Sequence, residues 1–397
     1  MAKRGLGIDV HTAAQRRLRT VFTDFPNIYV SFSGGKDSGV LLEMAATEAR
    51  RRGRRIGCLI VDLEAQYAHT VDYLQTMLAR HADVLDVYWV ALPLSLRNAV
   101  SQFQPQWRCW DPEQRDAWVR PQPDGAITDP GFFPFFREGM EFEDFTPEFG
   151  HWYARQNGGR LTACLVAIRS DESLNRYRTI ASRKKQTHEG NQWTTWLGGA
   201  LYNAYPVYDW RTADIWRFYG KTKTPYNVLY DRMHQAGLSI HQARICQPYG
   251  DDQRKGLWLY HLIEPRTWSR VVARVQGANF GARLGRITIT KPDDITWEDY
   301  AQRLLASMPA EVAEHFRDKI SVFLAWYDVR GYPGGVIPDD GSASDKMRPS
   351  WKRICKVLLT YDYWCKGLSF SPPHSHGSYA QYRKKLRIKR QEWGYRV

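Results

Sequence analysis

The sequence predicts an α/β fold, a parallel twisted sheet with helices on both faces, extended by a mostly helical C-terminal domain. Three observations carry that expectation. Asn27 to Gly53 passes from a β-rich apolar run through a Gly-Gly turn into a helical pattern. The runs Arg54 to Glu64 and Leu161 to Ile168 read as further buried strands, and from residue 251 onward the pattern is amphipathic and helical, near 297–308, 310–328, 350–366 and 378–393. The expected domains are therefore residues 1–250, with an insertion at about 100–150, and residues 251–397 with a basic tail.

The first stretch, NIYVSFSGGKDSGVLLEMAATEARRRG, is the most informative. Val40, Leu41, Met44 and Ala45 fall on one helical face and Gly53 sits where a C-terminal stop belongs, so the helix opens directly at SGGKDS. An anion there meets free backbone N–H groups and the positive end of the helix dipole, and Gly34 and Gly35 let the backbone come close. Lys36 adds a mobile positive charge, Ser33 and Ser38 can donate to phosphate oxygens, and Asp37 can hold Mg²⁺ or cap the helix. The loop suits phosphate but is not a Walker A loop, which requires a Gly where Val30 stands.

Two later groups extend this chemistry. Asp62 lies at the carboxyl end of the second strand, where open α/β sheets place ligands, although capping the next helix would also explain it. Arg169 ends the third strand and Ser173, Arg176 and Arg178 follow closely. Arg forks match phosphate or sulfate oxygens in pairs, so the group suits the distal end of a nucleotide or an anionic substrate; a solvated helical face is the plainer reading.

The string SFSGGKDS resembles the PP-loop of the ATP pyrophosphatase superfamily, which includes phosphoadenosine phosphosulfate (PAPS) reductases and the small subunit of ATP sulfurylase. Further segments resemble the PAPS reductase-like family in order: VDLEAQYAHT, through Asp62, Tyr67 and Thr70; IRSDESLNR; YPVYDWRTADIW, with Asp209 as a helix cap and Trp210 and Trp216 packing; and TPYNVLYDRM. The matches span roughly residues 20–250, and WRCWDP and HEGNQW are similar to the narrower branch that includes immunoglobulin-binding regulator A of enterobacteria.

The resemblance implies an adenine nucleotide alpha hydrolase-like fold that binds ATP, or a related adenine nucleotide, with Mg²⁺. It also implies cleavage between the α and β phosphates, adenylating an acceptor or releasing AMP and pyrophosphate. Lys36, Asp37 and Asp62 would form the catalytic set, with Asp37 as the magnesium ligand; Ser33, Gly34, Gly35 and Ser38 complete the nucleotide set. Arg169, Ser173, Arg176 and Arg178 would hold the acceptor or a sulfonucleotide's anionic end. Two rival readings are a nucleotide-sensing regulator acting through a protein or DNA partner, and sulfur-transfer modification of DNA or RNA.

True PAPS reductases use a Glu-Cys-Gly-Leu-His tail, whereas this sequence ends QEWGYRV, so thiol-dependent sulfate reduction is not expected. The six cysteines include no Cys-Cys or Cys-x-x-Cys pair, so neither an iron–sulfur cluster nor a structural zinc is expected. Cys109 and Cys246 are each read either as a thiol nucleophile or as a buried thiol. The insertion, rich in Pro, Trp and Phe, is expected to lid the site.

Lys and Arg number 56 against 42 Asp and Glu, a formal charge of +14, which favours phosphate-bearing partners. Residues 381–397, with interleaved aromatics, suit nucleic acid or an acidic protein, or equally a solubilising helix face. The arginines of Arg50–Arg55 contact a phosphate backbone or stabilise a helix end. No apolar run is long enough for a membrane span and the start lacks the apolar region of a secretion signal, so a cytoplasmic protein is expected.

Overall fold

A computed structural model describes residues 7–101, 103–246, 249–250, 256–279, 289–340 and 348–368. The expected helix at 378–393 and the basic tail 381–397 lie outside the described residues. The chain forms two compact units: residues 1–96, 108–247 and 259–270 make the first, and 97–107, 248–258 and 271–397 the second.

The first unit begins with α1 (Val10–Asp24), β1 (Asn27–Ser31), α2 (Lys36–Arg51), β2 (Ile56–Val61), α3 (Ala68–Arg80) and β3 (Leu85–Val90). Two three-residue strands, β4 (Ser95–Arg97) and β5 (Gln106–Arg108), lie where the chain leaves and re-enters this unit. Then follow α4 (Phe142–Gln156), β6 (Thr162–Leu165), α5 (Leu174–Ala181), β7 (Thr194–Gly198), β8 (Leu201–Ala204), α6 (Thr212–Thr222) and α7 (Leu229–Gln235). The sheet order is β3-β2-β1-β6-β8-β7, parallel except for the edge strand β7, which pairs antiparallel with β8 through a turn at Gly198–Gly199. The expected α/β sheet is thus present, with one antiparallel edge added.

Burial of both faces accounts for the apolar runs of β1 and β2. Ile28 and Val30 join the core formed with Leu18 and Val21 of α1, Val40, Leu41 and Ala45 of α2, and Ile215 and Phe218 of α6. Tyr29 points to the opposite face, against Phe149 and Tyr153 of α4, with ring centroids 5.3 and 5.1 Å away. The topology reverses at β1: β2 lies on one side and β6 on the other, so the loops after β1 and β6 diverge at the sheet's switch point.

The expected cut at residue 250 is displaced. Tyr260, on α8 (Trp258–Ile263), stacks on Tyr67 at 3.6 Å and donates to Ala65 O, and Glu264 accepts from the N–H groups of Ala68 and His69 that open α3. These bonds attach 259–270 to the first unit. Ala99 N donates to Tyr249 O and Trp364 Nε1 to Asn98 O, which attaches 97–107 to the second.

The second unit contains helices Trp297–Ala306, Ala310–Asp328 and Trp351–Leu359, close to three of the stretches expected from periodicity. Thr296 and Asp299 form a capping box at the first, and Ser350 caps the third. Trp297, Leu305, Phe316, Phe323, Trp351 and Leu358 share its core. Among the described residues no helix is long and apolar enough to cross a membrane.

Candidate functional site

The loop Phe32–Gly35 joins β1 to α2 and is fixed from both sides. Gly34 has φ +72°, and a Cβ there would stand 2.8 Å from Thr70 Cγ2, so this position needs glycine for conformation and for space. Asn227, fully buried before α7, donates through Nδ2 to Gly34 O and to Thr70 Oγ1, both at 3.1 Å. Tyr219 donates to Lys36 O at 2.7 Å, and Lys36 N donates to Tyr230 Oη at 3.0 Å. Burial pushes both phenols well above their usual range, so they stay neutral. Ser33 and Ser38 hydroxyls lie 3.1 Å apart, and Ser38 also donates to Gly35 O.

The charged groups differ from the expected arrangement. Lys36 is not a mobile charge: its side chain is 6% exposed, 3.1 Å from Asp37 Oδ2 and over the Tyr230 ring. Asp37 does not cap α2, whose N-cap is Gly35 without a side-chain bond. Arg169 Nε instead donates to Asp37 Oδ1 at 2.5 Å, while Arg169 Nη1 donates to Asp171 at 2.6 Å. Each Asp37 oxygen is thus engaged by one cation, Lys36 or Arg169.

Asp62 does not reach the loop crevice as expected. It is fully buried, with Oδ1 accepting from Glu64 N at 3.0 Å and Arg120 Nη2 at 2.5 Å, and Oδ2 accepting from Trp89 Nε1 at 2.9 Å. Glu64 likewise accepts from Trp110 N and Val119 N. These two acids anchor the insertion, Asp62 through its ion pair with Arg120 and Glu64 through the backbone of Trp110 and Val119.

The expected Arg169–Arg178 group is dispersed. Ser173 accepts from Arg176 N and caps α5, Arg176 pairs with Glu172, and Arg178 is exposed. Helix geometry explains this, because the cap and the i,i+4 pair use local partners. Arg169 reaches the loop directly through Asp37, and Glu172, the partner of Arg176, lies within electrostatic reach of Asp37 and Lys36. Asp209 also departs from its expected capping role: Arg17 holds both its oxygens, at 2.8 and 2.6 Å, while Asp214 caps α6.

Beside the loop lies a cavity of about 160 Å³, lined by Phe32, Ser33, Val61, Gln66, Tyr67 and Cys246 among others. Its size is of the order of cavities that take up a benzene ring, about 150 Å³. Two of its lining residues carry a buried polar atom without a hydrogen-bond partner, Gln66 Oε1 and Tyr67 Oη. From the insertion, Phe142 and Thr146 of α4 reach this cavity, while Cys109 is fully buried. Burial pushes the thiols of Cys58 and Cys164 up to about 12.

The Arg50–Arg55 run is used internally. Arg50 binds Asp83, Arg51 and Arg52 bind Glu48, Arg55 binds Asp86, and Arg54 donates to the carbonyls of Phe22, Phe25 and Pro26. Sequence reasoning missed the loop-holding roles of Thr70, Tyr219, Asn227 and Tyr230; TPYNVLY held the signal for two of them. It also missed Asp24, His188 and Glu189, whose ligand atoms lie within 4.8 Å of one another, because Asp24 and His188 are 164 residues apart.

A glycine-held loop opening α2 at the switch point of a parallel sheet defines the class, and the chain belongs to the phosphoadenosine phosphosulfate reductase domain family, whose model matches residues 27–236. It is therefore a PAPS reductase-like PP-loop protein. Residues 237–343 match a second model, a domain of unknown function (DUF3440). The chain is 44% identical over 402 residues to the uncharacterized protein YbdN of Escherichia coli strain K12, covering 98% of this chain and 97% of that protein. Among solved structures it is similar to phosphoadenylyl-sulfate reductase from Candida auris, with 14% identity, 63% of this chain and 98% of that chain covered, and a TM-score of 0.32. Another is FMN adenylyltransferase from Candida glabrata, with 17% identity, coverage of 58% and 62%, and a TM-score of 0.30.

Proposed function

We propose that the protein binds ATP, or a related adenine nucleotide, with its base in the cavity and its phosphates on the Ser33–Ser38 loop, and cleaves the bond between the α and β phosphates. The observation that carries this reading is the junction of two complementary sites: a ring-sized cavity and an anion-suited helix start, sharing Ser33. Lys36 and the loop N–H groups would take charge developing on the leaving pyrophosphate. Magnesium would arrive on the nucleotide, held by phosphate oxygens and water, since the Asp37 oxygens pair with Lys36 and Arg169 and Asp62 is fully buried against Arg120.

Attack at the α phosphate by an acceptor gives the adenylated acceptor and pyrophosphate; attack by water gives AMP and pyrophosphate. Arg169 supports this chemistry through Asp37, as a positioning residue. The test incubates the full chain with Mg²⁺ and α-labelled ATP, with and without nucleic acid, and follows labelled AMP and pyrophosphate. Turnover absent from a folded Lys36→Ala chain supports the assignment; equal turnover in that variant refutes it.

One observation favours a second reading, a nucleotide sensor without turnover. The loop's charged groups already pair with one another, Lys36 with Asp37 and Asp37 with Arg169, an arrangement that holds without a reacting substrate. Intact ATP that nevertheless raises the unfolding temperature would select this reading.

A further inference from the structure

The chain carries two runs of cations in its first unit, and the structure uses them differently. The arginines of 50–55 are taken up by Asp83, Glu48, Asp86 and backbone carbonyls. From Ser173 to His188 the sequence holds five Lys or Arg and no Asp or Glu. Arg176 turns back to Glu172 and Lys185 donates to Gln192 O, but Arg178, Arg183 and Lys184 are exposed and, among the described residues, pair with no carboxylate. On α5, Tyr177, Arg178 and Ala181 are exposed while Ile180 is buried, so Tyr177, 39% exposed, stands beside Arg178 on the solvent face. Ser182 ends the helix in an extended conformation, and Arg183 and Lys184 follow at once.

The strip has a defined neighbour at each end. At the start of α5, exposed Arg244 donates to Glu172 O at 2.8 Å, and the two residues after Arg244 line the cavity beside the loop. Beyond Lys184, Gln186 O accepts at 2.9 Å from the N–H of Trp196 on the edge strand β7, and Trp196 is also 39% exposed. The cations thus extend from the cavity's edge toward the edge of the sheet, with one exposed ring among them and another at the end.

We propose that this strip is a docking surface for single-stranded nucleic acid, with Arg178, Arg183 and Lys184 on its phosphates and Tyr177 stacked on a base. Exposed cations held together without acids repel one another in the free chain; a phosphate backbone removes that repulsion and releases its own counterions. The exposed rings select the occupant: an acidic peptide offers charge but no base to stack, and the bases of a duplex already stack on one another. The proposal does not rest on the nucleotide reading, and binding is measured without ATP.

The experiment follows the anisotropy of a labelled single-stranded oligonucleotide of about 20 nucleotides with the full chain, between roughly 50 and 200 mM salt. The triple variant Arg178→Ala, Arg183→Ala, Lys184→Ala is expected to bind more weakly and to reduce the slope of log K against log salt by about 2, at roughly 0.7 per cation. Tyr177→Ala is expected to lose roughly fivefold or more in affinity for the oligonucleotide and none for labelled poly-glutamate. No binding by the native chain at low salt, or an unchanged slope in the triple variant, overturns the proposal. Equal loss of both probes in Tyr177→Ala also overturns it, since the ring is then only a support. Poly-glutamate bound in place of the oligonucleotide would give the strip to an acidic protein and overturn it likewise.

Discussion

Arg169 and Asp37, 132 residues apart, meet at 2.5 Å through Nε and Oδ1 at the point where the order of strand addition reverses. Arg169 follows β6 and Asp37 lies in the first turn of α2, so this pair fastens the loops after two neighbouring parallel strands. With its side chain 3% exposed, Arg169 also serves Asp171 and the Trp210 carbonyl. Its fork, rather than charge alone, makes this arrangement possible.

Arg169→Ala should therefore lower the unfolding free energy by roughly 3–5 kcal/mol, the usual consequence of removing one partner of a buried pair. Arg169→Lys should recover only part, because one ammonium cannot reproduce the fork. Denaturant unfolding checks both; complete recovery by lysine would contradict the role given to the guanidinium geometry.

Gly34→Ala meets two obstacles, a positive φ that costs about 1–2 kcal/mol and a Cβ 2.8 Å from Thr70 Cγ2. Combining it with Thr70→Ser removes that methyl and keeps the hydroxyl that accepts from Asn227. The double variant should regain the steric part of the lost stability and not the conformational part. Thermal unfolding of the single and double variants measures this, and no gain would show that the methyl contact is not limiting.

Asp62 and Arg120 should behave as one structural unit. Asp62→Asn and Arg120→Ala should each lower the unfolding temperature, and a double-mutant cycle should return a coupling of about 0.5–3 kcal/mol. If Asp62→Asn instead abolished nucleotide turnover with stability unchanged, the buried anchor described here would be the wrong account.

Acid stability should depend on Glu43. Burial opposes its ionisation, but hydrogen bonds with His81 and Arg80 prevail and hold the carboxyl at about 2, against an ordinary 4.5. A carboxyl lowered in the folded state contributes stability that is present above its unfolded value and is lost as pH falls toward the folded one. The stability gap between the native chain and Glu43→Gln should therefore shrink as pH falls from about 4.5 to 2. Parallel profiles in denaturant titrations over that window would refute it.

The strand, loop and helix around SGGKDS were legible because their signals are local: an apolar run, paired glycines and a helical period within one stretch. The family resemblance placed Arg169 near the same site but could not say where its guanidinium points. Side-chain aim was decided by distant partners, Asn227 and Tyr230 for the loop and Arg120 for Asp62, at separations of 193, 194 and 58 residues. Asp62 shows the limit clearly. Its position at a strand end suits a ligand, yet an arginine from the insertion takes it for anchorage.

Tyr219 and Tyr230 tie down the carbonyl and the N–H of one residue, Lys36. The rotational freedom of that turn is lost when the chain folds, not when a ligand arrives. An anion docking there meets a rigid socket, so little of its binding enthalpy is offset by ordering the receptor. Calorimetry of Tyr230→Phe, which removes the acceptor for Lys36 N, should show the same ligand binding with a less favourable entropy, the thermodynamic mark of a socket that has to be assembled around its guest.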